Sequence, residues 1–218
     1  MADQKTSMET PDNAAALAIY RYRAPIYDYE LQAFEPLRHA AIDKLALQAG
    51  QTVLDVGCGT GLSFGLLENA VGPTGRIIAI EQSADMLAQA RQRVVDNGWD
   101  NIELVLAPAA EARWQGRADA LLLHFTHDIV RNPRALGHLC AQLKPGARVV
   151  STGLKWALPW CLPVNLYVLS AALYSVSSLE GLAEPWTLLA PMLNDFEVEE
   201  AIWGGGYIAS GHTATPRP

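Results

Sequence analysis

Cysteine is scarce in this chain, and basic residues are outnumbered by acidic ones. The 218 residues contain 3 cysteines, which show neither the pattern of a disulfide framework nor the spacing of metal ligands. We therefore expect a reducing, cytoplasmic environment and no metal site. Lysine and arginine total 16 against 23 aspartates and glutamates, for a formal net charge of -7. Because nucleic-acid-binding proteins usually carry a basic stripe, we expect no nucleic acid partner.

The sequence also lacks a recognisable targeting signal and an unbroken membrane span. Residues 1–13 are polar, without the basic start and apolar run of a secretory signal, and are predicted to be a disordered tail. Residues 156–176 are strongly apolar and uncharged, but Pro159 and Pro163 break their first half. The unbroken helical part, residues 164–176, is shorter than the ~20 residues that a bilayer requires. We expect no stable membrane insertion and a buried or cap helix instead.

What is present is an alternation of short apolar strands with helices. Strands are predicted at 52–56, 76–80, 102–106, 118–125 and 147–152, with helices at 62–69, 83–97 and 132–143. This order is typical of βαβ units around a parallel sheet. Residues 196–203 and 207–212 are predicted to form a hairpin around three consecutive glycines, which makes one late strand antiparallel.

Residues 14–218 are predicted to form a single domain, which begins with a helical lid over residues 14–48. Its first helix covers residues 13–23. The second covers 26–47, with an interruption allowed at Pro36 and an end at Ala49 and Gly50.

The clearest chemical signal is the run V-L-D-V-G-C-G-T-G at residues 53–61, which ends the first strand and opens a helix. Its glycines allow a sharp turn and the close approach of a ligand. The third glycine of a dinucleotide fingerprint is replaced by Leu62, and Asp55 precedes the first glycine by two residues. A carboxylate there disfavours a pyrophosphate and favours an ammonium or sulfonium group. The loop therefore predicts a site for a nucleoside that carries positive charge.

A second signal is Glu81, which follows the apolar run of the second strand. At this point of such a unit, an acidic residue accepts hydrogen bonds from the two ribose hydroxyls. Gln82 and Met86 follow at the start of the next helix, where adenine would lie.

Three sequence blocks carry a family resemblance: D-V-G-C-G-T-G at 55–61, I-I-A-I-E at 77–81 and L-K-P-G-A-R-V-V at 143–150. Together they resemble the class I S-adenosylmethionine-dependent methyltransferases, over roughly residues 51–152. The resemblance implies an α/β fold with a Rossmann-like, seven-stranded, mostly parallel sheet whose C-terminal hairpin is antiparallel. It also implies S-adenosylmethionine as the co-substrate.

Carried over from the family, Asp55, Gly57 and Gly59 would hold the methionine part, Glu81 the ribose, and Met86 would pack on adenine. The family's adenine-binding aspartate corresponds to Pro108 here, and the backbone at Ala109 or the Glu111 side chain would substitute. We expect the thiol of Cys58 to be a small filler within the loop.

The end of the fourth strand faces the reaction centre in open α/β sheets, and this chain places His124 and His127 there. Both are candidates for a general base, and a role in capping a helix or satisfying a backbone group is an equal alternative. Family members that methylate amide or adenine nitrogens usually carry N-P-P-Y at this place. Its absence counts against DNA, RNA adenine and protein glutamine as substrates.

The lid and the segment after the fifth strand are rich in aromatic residues. Residues 23–28 resemble the start of quinone and phospholipid methyltransferases, so Tyr20 and Tyr27 are expected to cover the cofactor and stabilise a sulfonium by cation–π contact. Anchoring of a helix on the core would explain the same rings. Residues 156–190 are predicted to be an apolar cap, with Trp160 and Trp186 in the roof of a cavity. A homodimer interface is the alternative for this segment.

These observations predict methyl transfer from S-adenosylmethionine to a small, hydrophobic molecule. The alternative is a non-methylating enzyme that transfers the aminocarboxypropyl group, or cyclises it to azetidine-2-carboxylate and releases methylthioadenosine. The residues expected to contact the cofactor are Tyr20, Tyr27, Asp55, Gly57, Cys58, Gly59, Glu81, Gln82, Met86, Ala109 and His124. Those expected to assist the chemistry are His124, His127 and Tyr27.

Overall fold

The computed structural model of the chain describes residues 32–175 and 178–215. Its strands are β1 Thr52–Val56, β2 Arg76–Glu81, β3 Ile102–Leu106, β4 Ala118–His124, β5 Leu143–Leu154, β6 Asn194–Ala201 and β7 Gly206–His212. Its α-helices are α1 Glu35–Leu45, α2 Phe64–Val71, α3 Ala84–Asn97, α4 His127–Val130, α5 Pro133–Ala141 and α6 Leu162–Ser175. The predicted tail, the first lid helix, Tyr20 and Tyr27 lie outside the described residues.

The strands form one seven-stranded sheet in the order β3-β2-β1-β4-β5-β7-β6. The first five strands run parallel, and β7 runs antiparallel to both β5 and β6, which confirms the predicted sheet and hairpin. The strand order reverses between β1 and β4. In sheets of this kind the carboxyl ends of the two strands at the reversal open a crevice that binds ligands.

The sheet is covered on both faces, which explains why its central strands are continuously apolar. Neighbouring residues enter opposite layers, because side chains alternate along a strand. Val53 packs with residues of α1 and α2, for instance, whereas Leu54 packs with residues of α5 on the other face.

The end of α1 differs from the prediction. Pro36 lies in the first turn of the helix, where its missing N–H is tolerated, and a 3-10 turn at Gln32–Phe34 precedes it. Residues 26–31 of the predicted lid helix lie outside the described residues. The helix ends at Leu45, and Ala46 adopts the left-handed conformation with φ 49°. The end predicted at Ala49 and Gly50 was therefore wrong by one turn.

The connection between α5 and β5 also differs. The prediction placed a turn at residues 144–146 and a strand from 147, whereas β5 already begins at Leu143. Pairing of Leu143 with Ala118 adds this segment to the sheet, and a register shift between Ala118 and Ala120 accommodates the extra residues.

Helix α6 begins with Pro163 in its first turn and has 14 residues. Within residues 32–175 and 178–215, no helix is long and apolar enough to cross a membrane.

The edge strand β6 is strongly acidic. Glu197, Glu199 and Glu200 are half exposed or more, and they pair with Lys44 and Lys155. Charged side chains on an edge strand oppose its pairing with another chain.

Candidate active site

The glycine loop after β1 is tied to the end of β2. The backbone N–H groups of Gly57 and Cys58 donate to the carbonyl of Ile80 at 2.8 and 3.2 Å. Gly57 has φ +72°, and a Cβ there would lie 2.5 Å from Cγ2 of Thr126. This position therefore requires glycine both for its backbone conformation and for the close approach of the segment that follows β4.

Glu81 lies at the other side of this loop, at the end of β2, and is buried. Its Oε2 accepts from the Gly59 N–H at 3.1 Å, and its Oε1 accepts from the Ser83 N–H at 2.7 Å. Burial raises the pKa of this carboxyl, and the backbone hydrogen bonds from Ser83, Gly59 and Gln82 oppose that rise. Each oxygen keeps a second lone pair, which suits it to accept the hydroxyls of a ribose.

Asp55 lies on β1 just before the loop, and only 2% of its surface is exposed. Its Oδ2 is buried without a hydrogen-bond partner. Burial raises the pKa of this carboxyl to about 7, opposed by the Arg38 guanidinium and assisted by Glu81. A buried carboxylate oxygen without a partner is costly, and a bound cation would remove that cost. The observation fits the ammonium and sulfonium of S-adenosylmethionine.

Arg38 is a site residue that the sequence reasoning missed. Only 2% of it is exposed, although it carries a charge, and it lies on α1 among buried apolar residues. Its guanidinium forms an ion pair with Glu35, while its Nε has no hydrogen-bond partner. The positive charge of the guanidinium lowers the pKa values of Asp55 and His124. A charged residue within the apolar face of a predicted helix is the signal that could have revealed it.

His124 is the last residue of β4, and only one of its two ring nitrogens has a hydrogen-bond partner. Its Nδ1 lies 2.6 Å from Oγ1 of Thr152, and its Nε2 is buried without a partner. Burial lowers the pKa of the ring to about 3, with a further contribution from Arg38, so the imidazole is neutral at physiological pH.

The next residue, Phe125, adopts φ +55°, a conformation that is uncommon for a bulky side chain. Its ring lies 4.8 Å from that of His124 and 4.6 Å from that of Phe34, between ring centroids. Tyr167 of α6 lies 6.3 Å from Phe34. These rings connect the start of α1, the end of β4 and α6, so the strained backbone holds an aromatic cluster beside His124.

His127 is placed differently, because it begins α4 and its Nε2–H donates to the carbonyl of Glu180 at 3.0 Å. Burial lowers the pKa of this ring as well. The contact ties α4 to the segment after α6, which corresponds to the alternative of a backbone partner.

The loop after β3 reaches Glu81 through its backbone, because the Ala107 N–H donates to the Glu81 carbonyl at 3.0 Å. Pro108, at the position of the family's aspartate, accepts from the N–H groups of Glu111 and Ala112 at 2.9 and 3.0 Å. Ala109 in this turn is half-buried. The backbone therefore holds the start of the loop against the end of β2, and the position of the family's aspartate carries no acidic side chain.

The other residues predicted for the cofactor lie around the start of α3 and in the loop. Met86 is 1% exposed, and Gln82 is half-buried. Burial holds the pKa of the Cys58 thiol well above its usual value, which favours the protonated, less nucleophilic form.

Of the two tryptophans predicted to line a cavity beneath the apolar cap, only one is packed against the core. Trp186 packs against Tyr207 with ring centroids 5.0 Å apart, whereas 74% of Trp160 is exposed. The exposed Trp160 corrects the prediction that it lines a cavity, because it precedes α6 on the outer side of the chain. Among the described residues, no group of three or more histidines, cysteines, aspartates or glutamates is placed to hold a metal ion.

Comparisons with known proteins agree with this geometry. A family model described as a methyltransferase domain matches residues 47–178, more than half of the chain. The ubiquinone/menaquinone biosynthesis C-methyltransferase UbiE of Hahella chejuensis is 32% identical over 152 residues, which cover 68% of this chain and 58% of that protein. The 2-phytyl-1,4-naphtoquinone methyltransferase of Thermosynechococcus vestitus is 34% identical over 139 residues, which cover 60% of each chain.

The chain spans about half of the length of the curated relatives that it matches, from 33% to 60%. Among solved structures, the N-methyltransferase NodS of Bradyrhizobium japonicum in complex with S-adenosyl-l-homocysteine superposes with a TM-score of 0.68 at 17% identity. The match covers 94% of this chain and 100% of that one. At this level of identity the likeness concerns the fold.

Proposed function

Because the chain belongs to the class I S-adenosylmethionine-dependent methyltransferases, we propose that it methylates a small, hydrophobic acceptor of the quinone type. The observation that carries the proposal is the pair of buried carboxylates, Asp55 and Glu81, on the two sides of the glycine loop. One has an oxygen without a partner, as a cationic ligand requires, and the other has lone pairs for two hydroxyls. The acceptor class rests on the names of the relatives, which are quinone and naphthoquinone methyltransferases.

When bound, S-adenosylmethionine supplies a methyl group that is activated by a sulfonium. Asp55 would face the cationic methionine part, and Gly57 and Gly59 would let the backbone approach it. Glu81 would accept the ribose hydroxyls. The remaining residues proposed around the cofactor are Cys58, Gln82, Met86, Ala109 and His124, with Tyr20 and Tyr27 from the lid.

His124 is proposed to act on the acceptor. Its neutral ring would donate through Nδ1–H to Oγ1 of Thr152, which leaves the buried Nε2 as a proton acceptor. A ring hydroxyl of the acceptor would share its proton with Nε2 through a hydrogen bond, and the electron density gained by the ring would make its neighbouring carbon more nucleophilic. Because the pKa of the imidazole is held at about 3, full transfer of the proton would come only as that carbon reacts. His127 and Tyr27 remain secondary candidates for this proton transfer. His127 would act only through its Nδ1, because its Nε2 is engaged by Glu180.

The proposal extends to the partners of the chain. We expect a small-molecule substrate, no nucleic acid, a cytoplasmic location and, as the alternative use of the apolar cap, a homodimer.

The test is to incubate the purified protein with S-adenosylmethionine, with and without a water-soluble hydroxynaphthoquinol, and to identify the nucleoside product by mass spectrometry. S-Adenosylhomocysteine that appears only with the acceptor would support methyl transfer. Methylthioadenosine formed without an acceptor would overturn it and favour the aminocarboxypropyl chemistry. The His124→Gln variant should lower kcat at least ~100-fold and weaken the affinity for S-adenosylmethionine by a much smaller factor, because His124 is proposed to line the cofactor as well as to act on the acceptor.

A further inference from the structure

One end of the molecule carries an unusually large exposed apolar surface. We call it the apolar end surface and define it by its most exposed side chains, which are Leu158, Trp160, Leu162, Leu166, Leu173 and Trp203, each between 54% and 88% exposed. Single exposed apolar residues are normal, but a contiguous set of this kind marks an interaction site.

Helix α6 supplies the central stripe of this surface. Leu162, Leu166 and Leu173 follow the helical spacing that places them on one side, whereas Val168 and Ala172 are buried on another. Helix α6 is mostly apolar, with Asn165 and Ser170 among its few polar residues, and a helix of this composition is normally buried on most sides, whereas its three outer leucines are exposed. The exposed side of α6 therefore faces water, although its leucines would be more stable in an apolar environment.

The turn between β6 and β7 extends the stripe. A Cβ on Gly205 would lie 2.6 Å from Cγ1 of Val164, so this turn packs directly against α6. Ile202 and Trp203 in the turn both adopt the left-handed conformation, with φ 50° and 49°, which is strained for side chains of these kinds. The strain accompanies a tryptophan that is 88% exposed, and strain of this kind concentrates at functional positions.

The apolar end surface lies beside the candidate active site. Gly206, just after the turn, pairs with Leu154 at the carboxyl end of β5, the same edge of the sheet that carries His124 and the glycine loop. Tyr167 joins α6 to the aromatic cluster of Phe34 and Phe125 on that edge. A partner that covers the apolar end surface would therefore also lie against the sheet edge at which an acceptor would enter the candidate active site.

The charges around the apolar end surface indicate which kind of partner would bind it. Residues 156–179 contain no charged side chain, and at their margin the acidic Glu180 and Glu200 are each paired with a basic residue, Arg131 and Lys155. Interfaces with proteins usually have a polar rim and favour arginine, whereas exposed tryptophans flanking an apolar helix are typical of the bilayer–water interface. The net charge of -7 opposes anionic lipids.

We propose that the apolar end surface docks the chain onto an uncharged, zwitterionic lipid bilayer, with α6 lying in the plane of the interface. The choice of lipid over a protein partner also rests on the proposed function, since a quinone-type acceptor partitions into bilayers. Docking would bring the entrance of the site to the phase in which its acceptor is concentrated.

The test uses the full chain and flotation with phosphatidylcholine vesicles. We expect the wild-type protein to float with the vesicles, and vesicles with brominated acyl chains to quench its tryptophan fluorescence. Leu162→Gln combined with Leu166→Gln, and separately Trp203→Gln, should each weaken binding by about tenfold or more. Val95→Gln, which replaces a residue 67% exposed on α3, should leave binding unchanged.

Adding phosphatidylglycerol should not strengthen the binding, and stronger binding to anionic vesicles would contradict hydrophobic docking. The proposal is overturned if the wild-type chain neither floats nor is quenched. It is also overturned if sedimentation reveals a dimer that the same variants dissociate, since the surface would then join two copies of the chain. Turnover of a water-soluble acceptor without vesicle binding would remove the docking and keep the proposed function, and binding without turnover would do the reverse.

Discussion

The cofactor half of the crevice and the acceptor half differ in how their polar groups are satisfied. On the proposed cofactor side, both oxygens of Glu81 are paired with nearby backbone N–H groups, whereas Oδ2 of Asp55 has no partner. On the acceptor side, Nε of Arg38, Nε2 of His124 and Oγ1 of Thr126 are buried without partners, and Phe125 is strained. Both halves therefore retain a buried polar atom that a ligand could satisfy, and they differ in that backbone hydrogen bonds already orient Glu81 in the cofactor half.

The largest effect on stability and binding should come from Gly57, where the glycine loop contacts Thr126 of the segment after β4. Replacing Gly57 by alanine puts a Cβ 2.5 Å from Cγ2 of Thr126 at a φ of +72°. We expect the free energy of unfolding to fall by about 2–5 kcal/mol and binding of S-adenosylmethionine to be lost, as measured by urea denaturation and calorimetry.

Two further variants sharpen this experiment. Thr126→Ser removes the clashing methyl group and should restore part of the stability that Gly57→Ala loses. Gly137→Ala is the matched control, because a Cβ there meets nothing within 4 Å, and it should stabilise α5 by about 0.5–1 kcal/mol. A Gly57→Ala protein as stable as the wild type would show that the halves are not in contact.

The next largest effect should come from removing the charge of the Glu81 carboxylate, which is proposed to accept the ribose hydroxyls. Glu81→Gln replaces one acceptor oxygen by an amide donor that faces the backbone N–H of Gly59 or Ser83. We expect the affinity for S-adenosylmethionine to fall about 10- to 100-fold, corresponding to about 1.5–3 kcal/mol for hydrogen bonds to a charged group. Glu103→Gln, on β3, removes only a surface ion pair with Arg76 and should change the affinity less than twofold. Equal effects of the two substitutions would argue against a ribose site at Glu81.

The third prediction concerns Asp55, which is proposed to face the cationic methionine part of the cofactor. Its pKa is raised to about 7, so the carboxyl of the ligand-free protein takes up a proton as pH falls through that value. A cationic ligand binds the ionised form, so the affinity for S-adenosylmethionine should decrease below pH 7, by up to about tenfold per pH unit. The Asp55→Asn variant should bind more weakly at pH 8 and show no such slope, as titration calorimetry between pH 5.5 and 8 would reveal.

The same pKa has the opposite consequence for stability. A carboxyl whose pKa is raised on folding contributes stability at low pH, and this contribution is lost as pH rises from the unfolded value of about 4 toward 7. Without ligand, Asp55→Asn should therefore unfold at a higher temperature than the wild type at pH 8, and this difference should shrink at pH 5. An Asn variant that is less stable at pH 8 would mean that Asp55 has a partner in the free protein.

The smallest effect should come from Arg38, which acts on both sides at a distance. Its guanidinium lowers the pKa of Asp55 and that of His124. Arg38→Met should therefore move the pH dependence of cofactor binding to higher pH by less than about one unit, and Arg38→Lys should keep the wild-type curve. An unchanged curve for Arg38→Met would show that the guanidinium is screened from Asp55.

Much of the cofactor half could be predicted from the sequence, and little of the acceptor half could. The bounds of β1 and β3 agree with the prediction, because short apolar runs flanked by turn residues leave few alternatives. Ser83, a residue type that favours helix N-caps, accepts from the Met86 N–H at 3.4 Å at the start of the predicted helix. These features depend on neighbours in sequence.

The acceptor half depends on packing between distant segments, which a single sequence does not encode in readable form. The burial of Arg38 follows from α1 lying on β4 and β5, and the exposure of Trp160 follows from the side on which α6 packs. The left-handed Phe125 likewise has no local signal, since aromatic residues rarely adopt that conformation.

The acidic edge strand β6 has a consequence for how copies of the chain could associate. Joining two β6 strands into one continuous sheet would bring the row of Glu197, Glu199 and Glu200 from each copy together, and like charges on adjoining strands repel. Growth of the sheet from molecule to molecule, the first step toward cross-β aggregates, is thereby disfavoured at this edge. The chain thus leaves the apolar end surface exposed while the β6 edge of its sheet is protected against self-recognition.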